Sequence, residues 1–577
     1  MTRRVSVAAL AVSLLGCFPP PAPRRVGSPR DRVESLWDFA PADASLGAVF
    51  HERGFSRALA MWASLSEHAT ARPGKAKAHD HEDPPTKDTL PPFETAADWA
   101  RAGLDPSLEA AVFTWPDPDR GALIVVPVRD RALFRTAFRG QKRLAGAREV
   151  DELTNGYACT LVVERMVCAK SIADIDAAAA AHSSPITYRG EHLGPDDTGD
   201  VEIVATRAAP QVAEMEKRAK EYGTFSGVVT SVRLRDDGVT LRVHAMGEMV
   251  TPLARAFAGS APASNQPSAA GAPSVIRLHF DPVTVAAEAK TMDDAERHDL
   301  FEQLTGDLEM TTSGHGLFGA YATIGIKDDA RMLGYIKEKC REAGGFKVGS
   351  TFQKVTVTER GCSALFDPKL VLISVLNEPV PISFEVEGGK LVFSAGGARA
   401  PSVEERTTAG VVPESDAAFA LTDTEALVAF TQSPFIGPDV GAGEALKKVS
   451  SLVTDEAAER LDAFNDIGAH IAQAFIAGRV EEGGVVVTAG FTTFAGDPPE
   501  VRAAYDGALE ARAAGDVVGY RGRLTEIERK YPRSLAGRRG AIVRRAGPFL
   551  GAGTLGFTSL GVWLDALDSV IDLKKTK

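Results

Sequence analysis

Short stretches in which apolar and polar residues alternate recur along the chain, and this spacing predicts half-buried β-strands. Four such stretches begin at Ser45, Val201, Ser274 and Ala417, and each is followed by a turn and an alanine-rich stretch with helical spacing. Most of the other strands are separated only by hairpin-length turns, which favours antiparallel sheets. The pattern therefore predicts an α+β fold in which helices cover one face of each antiparallel sheet.

The same pattern occurs twice along the chain. The strand and turn Ile124–Asp130 match Thr323–Asp328, and in the helix that follows each of them Phe134 corresponds to Met332. Alternating strands and helices in any alanine- and valine-rich chain can produce such matches by chance. The matching elements keep one order, however, and this favours an internal duplication.

The composition of the connecting segments predicts how the chain is divided. Two α+β units are expected over residues 33–257 and 274–496. Residues 258–273 contain no charge and no large apolar side chain, so they are expected to form a flexible linker. A proline-rich tether is predicted over residues 17–32, and a helical segment over residues 497–577.

The C-terminal segment has a different pattern of apolar and polar residues from the two units. Residues 498–545 form two helical patterns around Gly515 and Asp516, and Ser534 can cap a third helix. This arrangement resembles a single tetratricopeptide repeat. Because a solenoid needs at least three repeats, the resemblance implies a helical hairpin that packs on its neighbour.

An uncharged stretch, Ala546–Leu564, follows these helices. Its length would allow a transmembrane helix. It also contains five glycines, which favour packed structure over a membrane span. Both interpretations stay open at this point.

The N-terminus has the layout of a secretory signal. Arg3 and Arg4 precede an apolar run, Val5–Leu15, that is about half as long as the ~20 residues needed to cross a bilayer. The run closes with Leu14-Leu15-Gly16-Cys17, which resembles the lipobox of bacterial lipoproteins. The resemblance implies a signal peptide over residues 1–16, a diacylglycerol on Cys17 and a lipid-anchored protein of the cell envelope. Phe18 stands where an aspartate would retain the protein in the inner membrane of enteric bacteria. The outer membrane is therefore expected, with the body facing the periplasm or the cell surface.

The size and the net charge of the chain indicate what kind of molecule it can bind. A chain of 577 residues is too long for one core. Its 44% hydrophobic and 25% charged residues are ordinary for a protein that folds in water. The net charge of −12 argues against a nucleic-acid partner, because phosphate binding needs clustered lysine and arginine. The expected partners are a membrane, reached through the lipid anchor, and a protein of the envelope.

Four cysteines remain besides Cys17. An even number in an exported chain favours disulfides. Local pairing predicts a bond between Cys159 and Cys168 across a hairpin, and a bond between Cys340 and Cys362 from a helix end to a strand. Zinc binding by these four cysteines is the alternative, but no C-x-x-C spacing supports it.

A cluster of potential metal ligands lies at residues 79–83. His79, His81 and Asp83 alternate, so in an extended segment they could point the same way and hold a transition metal. The surrounding sequence is rich in proline, lysine and aspartate and has no apolar period, which favours a solvated loop. No metal site and no cofactor are therefore predicted.

The remaining candidates also have simpler interpretations. Gly551–Gly556 spells G-x-G-x-x-G, but it lacks the second strand and acidic residue that a dinucleotide site needs. Asp130 and Asp328 both stand where a strand gives way to a helix, a position typical of an N-cap. His244 and His279 fall on alternating strands, where histidine is more often structural than catalytic.

The chain contains no G-x-S-x-G, H-E-x-x-H or P-loop motif, so no residue is assigned a catalytic role. The favoured hypothesis is a non-catalytic envelope lipoprotein that acts as an interaction or scaffold module on the membrane surface. One alternative is a periplasmic carrier of lipid or another apolar ligand, enclosed between sheet and helices. A further alternative is a hydrolase whose site is assembled from distant segments.

Overall fold

The structure is a computed structural model. It describes residues 35–51, 54, 57, 96–105, 107–145, 148–162, 165–182, 198–210, 212–213, 217, 223–235, 238–249, 274–284, 300–312, 320–344, 352–366, 380–398, 400, 419–423, 471–481, 484–493 and 497–546. All statements below refer to these residues.

The chain divides into two compact units. The first consists of Met1–Thr70, Lys75–Ala254 and Val480–Ala489, and the second contains Arg255–Arg479 and the residues from Gly490 onwards. The division after Ala254 falls just before the linker predicted at 258–273, and the limits of that linker remain a prediction. The grouping of Val480–Ala489 with the first unit has no counterpart in the sequence pattern, because contacts between distant segments depend on packing.

The described residues of the N-terminal half of the chain form ten strands. They are β1 (Leu46–Phe50), β2 (Ala110–Thr114), β3 (Ala122–Val126), β4 (Gln141–Ala145), β5 (Arg148–Glu152), β6 (Ala158–Val162), β7 (Arg165–Ala169), β8 (Val201–Thr206), β9 (Gly223–Arg235) and β10 (Gly238–Met249). Short 3-10 helices span Leu36–Phe39 and Pro118–Arg120, and the α-helices are α1 (Ala96–Arg101), α2 (Arg131–Ala137) and α3 (Ile172–His182).

These strands form a continuous antiparallel ladder. Its order is β9-β8-β1-β2-β3-β7-β6-β5-β4, and β10 pairs with the outer side of β9. The hairpins predicted from the turns supply most of the pairings. The pairings of β3 with β7 and of β1 with β8 are different, because they join strands that are separated by three and by six other strands in the chain.

Helices cover both faces of this ladder. In β3, Leu123 and Val125 belong to a core that includes Trp37 of the first 3-10 helix and part of α3. The intervening Ile124 and Val126 pack instead with α2 and the end of α1. Helices were predicted on one face only. The uninterrupted apolar run in β3 explains the difference, since a strand buried on both faces loses its alternation.

Ten strands are also described in the second half of the chain. They are β11 (Ser274–His279), β12 (Leu304–Thr312), β13 (Ala320–Ile326), β14 (Phe352–Val357), β15 (Gly361–Phe366), β16 (Val380–Glu387), β17 (Lys390–Ala395), β18 (Phe419–Asp423), β19 (Ile471–Glu481) and β20 (Gly484–Thr493). The helix α4 (Asp329–Gly344) follows β13.

Nine of these strands repeat the ladder of the first unit. Their order is β19-β18-β11-β12-β13-β17-β16-β15-β14, and every pairing is antiparallel. Each strand therefore occupies the place of the strand ten numbers before it. The predicted α+β class and the internal duplication are both confirmed.

Three helices close the described part of the chain: α5 (Pro499–Ala513), α6 (Val517–Lys530) and α7 (Leu535–Ala546). Tyr505 and Tyr520 are buried between them together with apolar side chains from all three helices. The hydroxyl of Ser534 accepts a hydrogen bond from the amide of Gly537, so the predicted cap of α7 is confirmed. Within the described residues, no helix has the length and apolar character needed to cross a membrane.

Candidate functional site

A cluster of ionisable side chains in the first unit is centred on His51, directly after β1. Its Nδ1 lies 3.1 Å from Oε1 of Glu109, and its Nε2 lies 3.0 Å from Oε2 of Glu202. The indole Nε1 of Trp37 donates a 2.7 Å hydrogen bond to the same Glu202 oxygen. Glu202 is only 1% exposed, so this carboxylate depends on its protein partners.

The two carboxylates decide the protonation state of His51. Burial alone would lower the pKa of the imidazole, but the hydrogen bonds and negative charges of Glu109 and Glu202 outweigh it. Together they raise the pKa of His51 from 6.5 to about 9. The Nδ1 contact with Glu109 is a hydrogen bond, and Nε2 faces the Glu202 carboxylate as an ion pair. His51 is therefore an imidazolium at neutral pH, which is the wrong form for a general base.

A second cluster ties helix α2 to strand β5. The carboxylate of Asp151 is fully buried, and it accepts 2.7 Å hydrogen bonds from Nε of Arg131 and from Nε of Arg135. The two arginines stand one helical turn apart on α2, so they reach the same side chain. Glu149 lies on the outer side of both arginines and is more exposed. Two cations thus compensate one buried anion.

A third cluster is built around Arg120, whose guanidinium lies over the ring of Trp115. Arg120 donates to Asp174 at 2.6 Å and to Asp43 at 2.5 Å. Burial raises the pKa of Asp43, but hydrogen bonds from Arg120 and Trp115 outweigh it and hold that pKa below its usual value. This cluster links the 3-10 turn at Pro118–Arg120 to helix α3 and to the chain before β1.

The four cysteines form the two predicted pairs. Cys159 and Cys168 face each other across the β6–β7 hairpin with their Cα atoms 4.0 Å apart, and their sulfurs are at disulfide distance. Cys340 of α4 and Cys362 of β15 form the second pair, with a Cα separation of 6.2 Å. Each unit therefore contains one covalent cross-link, and none of these cysteines is arranged for zinc.

The matching ladders define equivalent positions in the two units. Asp130 and Asp328 provide a common reference, since each stands immediately before the corresponding helix. The residues five positions before these aspartates are Val125 and Thr323. In the first unit Val125 pairs with Ala111, which pairs with Val49. In the second unit Thr323 pairs with Glu309, which pairs with Arg277. Two residues beyond Val49 and Arg277 stand His51 and His279. The duplication therefore places a histidine at the same point of both sheets.

His279 also has a carboxylate neighbour. Its Nδ1 lies 2.5 Å from Oδ1 of Asp307, its cross-strand partner on β12. Glu109 stands at the corresponding place beside His51. The position equivalent to the buried Glu202 is occupied by Ala420, so only the first unit has a second carboxylate at this point. The strand pattern in the sequence pointed to His279 but not to Asp307, and no sequence pattern singled out His51.

Comparison of the two ladders also shows which residues of the second unit occupy the places of Asp151 and of the pair Cys159–Cys168. Asp151 is the cross-strand neighbour of Cys159, and Cys362 is the neighbour of Phe384. Cys362 therefore occupies the place of Asp151, and a disulfide to α4 stands where two arginines of α2 bind a carboxylate. The pair Cys159–Cys168 corresponds to Phe384 and Phe393, whose ring centroids lie 5.0 Å apart.

The two capping aspartates have the predicted role. Asp130 accepts hydrogen bonds from the amides of Ala132 and Leu133, and Asp328 accepts one from the amide of Arg331. His244 is a buried residue of β10.

Several predicted features lie outside the described residues. They are Cys17 with its signal peptide and tether, the metal candidates His79, His81 and Asp83, the glycine-rich Gly551–Gly556 and most of Ala546–Leu564. Among the residues that are described, no group of three or more histidine, cysteine or acidic side chains is arranged to hold a metal. Comparison with known proteins found no matching family model, no matching curated protein and no matching solved structure.

Proposed function

We propose that the protein is a non-catalytic lipoprotein of the cell envelope, and that its duplicated α+β body is an interaction module held at the membrane surface by a lipid on Cys17. The observation that carries this proposal is the cysteine pair in each unit, Cys159–Cys168 and Cys340–Cys362. Disulfides persist in oxidising compartments outside the cytosol. A secretory signal that ends at a lipobox cysteine would deliver the chain to such a compartment.

The charged clusters support a structural role for the body. Around His51, Asp151 and Arg120, each charge lies against opposite charges on neighbouring elements. The imidazole of His51 is protonated at neutral pH. Such clusters fix the positions of helices against a sheet, and a rigid scaffold with exposed edges suits protein recognition.

Metabolic labelling with palmitate tests the anchor. Wild-type protein produced in a diderm bacterium should carry the label and sediment with membranes. A Cys17→Ala variant should be unlabelled and released from them. Equal labelling of the two proteins, or an unlabelled wild type, would contradict the proposed anchor.

Affinity purification from detergent-solubilised envelopes tests the interaction role. A protein partner should co-purify reproducibly with the lipidated wild type after mild cross-linking. The purified protein should turn over no ester, peptide or glycoside substrate. Turnover that disappears in a His51→Gln variant would replace this proposal with the hydrolase alternative.

A further inference from the structure

Strand β4 forms one end of the first ladder. In the described part of the chain it pairs with β5 alone, so its other side presents backbone groups that lack a strand partner. Residues Gln141 to Leu144 are all exposed, and Leu144 is 68% exposed. An exposed edge strand with an exposed leucine is a template for the addition of another strand.

The equivalent edge of the second ladder, β14, is built differently. Its register with β15 shifts between Gln353 and Thr356, and Lys354 has a positive φ of 51°. An irregularity of this kind bends an edge strand and blocks further pairing. The register of β4 with β5 is unbroken from Gln141 to Ala145. Only the first of the two equivalent edges is therefore regular enough to extend.

The charge around β4 decides which strand can be added. Strand β4 itself carries two basic residues, Lys142 and Arg143, and no acidic residue, although the whole chain has a net charge of −12. Two copies of β4 would bring like charges together, which opposes self-pairing. An acidic segment would instead be attracted. The ion pairs of Lys142 with Glu149 and of Arg143 with Glu152 are solvent-exposed, and such pairs contribute little and exchange readily.

The side chains of β4 are also divided between the two faces of the strand. Lys142 and Leu144 point to one face and Arg143 to the other, because side chains alternate along a strand. Leu161 of β6 is also exposed and lies on the face of Leu144, with Glu149 of β5 between them. An added strand would place carboxylates beside Lys142 and Arg143 and an apolar side chain beside Leu144.

From these observations we infer that β4 is a docking edge for an extended acidic segment of a partner protein, which binds by adding a strand to the first sheet. The inference rests on the proposed interaction role and names the surface and the chemistry of the partner. Backbone hydrogen bonds would supply affinity, and the basic side chains with Leu144 would supply selectivity.

Fluorescence anisotropy with the purified full-length chain tests the inference. The probe is a labelled, capped peptide of about ten residues in which glutamate and valine alternate. It should bind saturably, and its affinity should fall about tenfold or more between roughly 0.02 M and 0.5 M salt, because exposed charges are screened. A matched peptide of alternating lysine and valine should not bind.

Variants at the two equivalent edges provide the control. Lys142→Glu combined with Arg143→Glu should weaken binding of the acidic peptide about tenfold or more. Lys354→Glu on the irregular edge β14 should leave binding unchanged. Equal binding of both peptides, no binding of the acidic one, or loss of binding in the β14 variant would overturn the inference.

Hydrogen exchange on the wild-type protein provides a measurement that does not depend on how a variant folds. Saturating acidic peptide should slow exchange in β4 and leave β14 unchanged. Protection elsewhere without protection of β4 would overturn the inference. If an envelope partner is captured equally well by the Lys142→Glu/Arg143→Glu variant, this docking edge is wrong while the proposed function stands.

Discussion

The two units share one strand order but use different chemistry to hold helices on the sheet. In the first unit, Arg131 and Arg135 of α2 bind the buried carboxylate of Asp151. In the second, Cys340 of α4 is bonded to Cys362 at the equivalent point of the ladder. At this point of the ladder, ion pairs link helix and sheet in the first unit, and a disulfide links them in the second. Each link then responds to a different condition.

Removal of the buried carboxylate should have the largest effect on the comparison. Asp151→Ala leaves the two arginines with only the more exposed Glu149 as a partner, so the first unit should lose about 3–5 kcal/mol of its free energy of unfolding. Urea denaturation followed by hydrogen exchange in β5 measures this loss. Glu149→Ala is the matched control, since this more exposed carboxylate should contribute much less to stability. Equal losses would show that burial of Asp151 does not matter.

Removal of the disulfide in the second unit should have a similar but slightly smaller effect. Cys340→Ser with Cys362→Ser frees a loop of 22 residues, so the second unit should lose about 3 kcal/mol by the chain-entropy estimate. Exchange in β15 should increase and exchange in β5 should not. A reducing agent should reproduce the loss in the second unit. Reduction also opens Cys159–Cys168 in the first unit, but the link between α2 and β5 should survive it, because that link is ionic. If hydrogen exchange is faster in β15 of the double cysteine variant than in β5 of Asp151→Ala, the disulfide contributes more than the ion pair and the expected order is wrong.

The His51 cluster should make the first unit more sensitive to alkaline pH. The pKa of His51 is raised to about 9, so its contribution is complete below 6.5 and is lost as the pH rises through about 9. Thermal unfolding between these pH values should show a falling melting temperature for the first unit.

His51→Gln should flatten this dependence and cost roughly 2 kcal/mol at neutral pH, because charged hydrogen bonds are lost. His279→Gln is the control in the second unit, where Asp307 is exposed and Ala420 replaces the second carboxylate. An unchanged slope in His51→Gln would contradict the assignment.

A double cysteine substitution in the second unit tests whether the two hairpins are equivalent, and we expect it to change stability the least. Phe384→Cys with Phe393→Cys places cysteines where the first unit has Cys159 and Cys168, at directly opposed positions of a hairpin. The new thiols should oxidise to a disulfide, as shown by thiol titration and mass spectrometry. The lost ring contact and the gained cross-link should offset each other to within about 1 kcal/mol. Persistently free thiols would show that the two hairpins differ in geometry.

Much of the fold could be predicted because its features are local. Alternation located the strands around Ser45, Val201 and Ser274. The turn positions of Asp130 and Asp328 located two helix starts. The spacing of the cysteines predicted both pairs, since each closes a short stretch of chain. Short-range geometry is encoded within a few residues, so one sequence was enough to predict it.

The candidate site could not be predicted in the same way. His51 and Glu202 meet only because β8 returns to pair with β1, and Glu109 lies directly before β2 on the other side of β1. The presence of helices on both faces likewise depends on β3 and β7 pairing in the middle of the sheet. His51 stands just after a strand beside an ordinary-looking turn, and no local pattern marks it as charged.

By itself, the sequence determined the α+β class, the duplication, several strands and helix starts, and the cysteine pairs, because each follows from periodicity and short-range closure. Only the tertiary structure decided which strands are neighbours, which charges are buried together and which edge remains regular. Those properties depend on register between segments far apart in the chain, and register is fixed when complementary faces pack against each other.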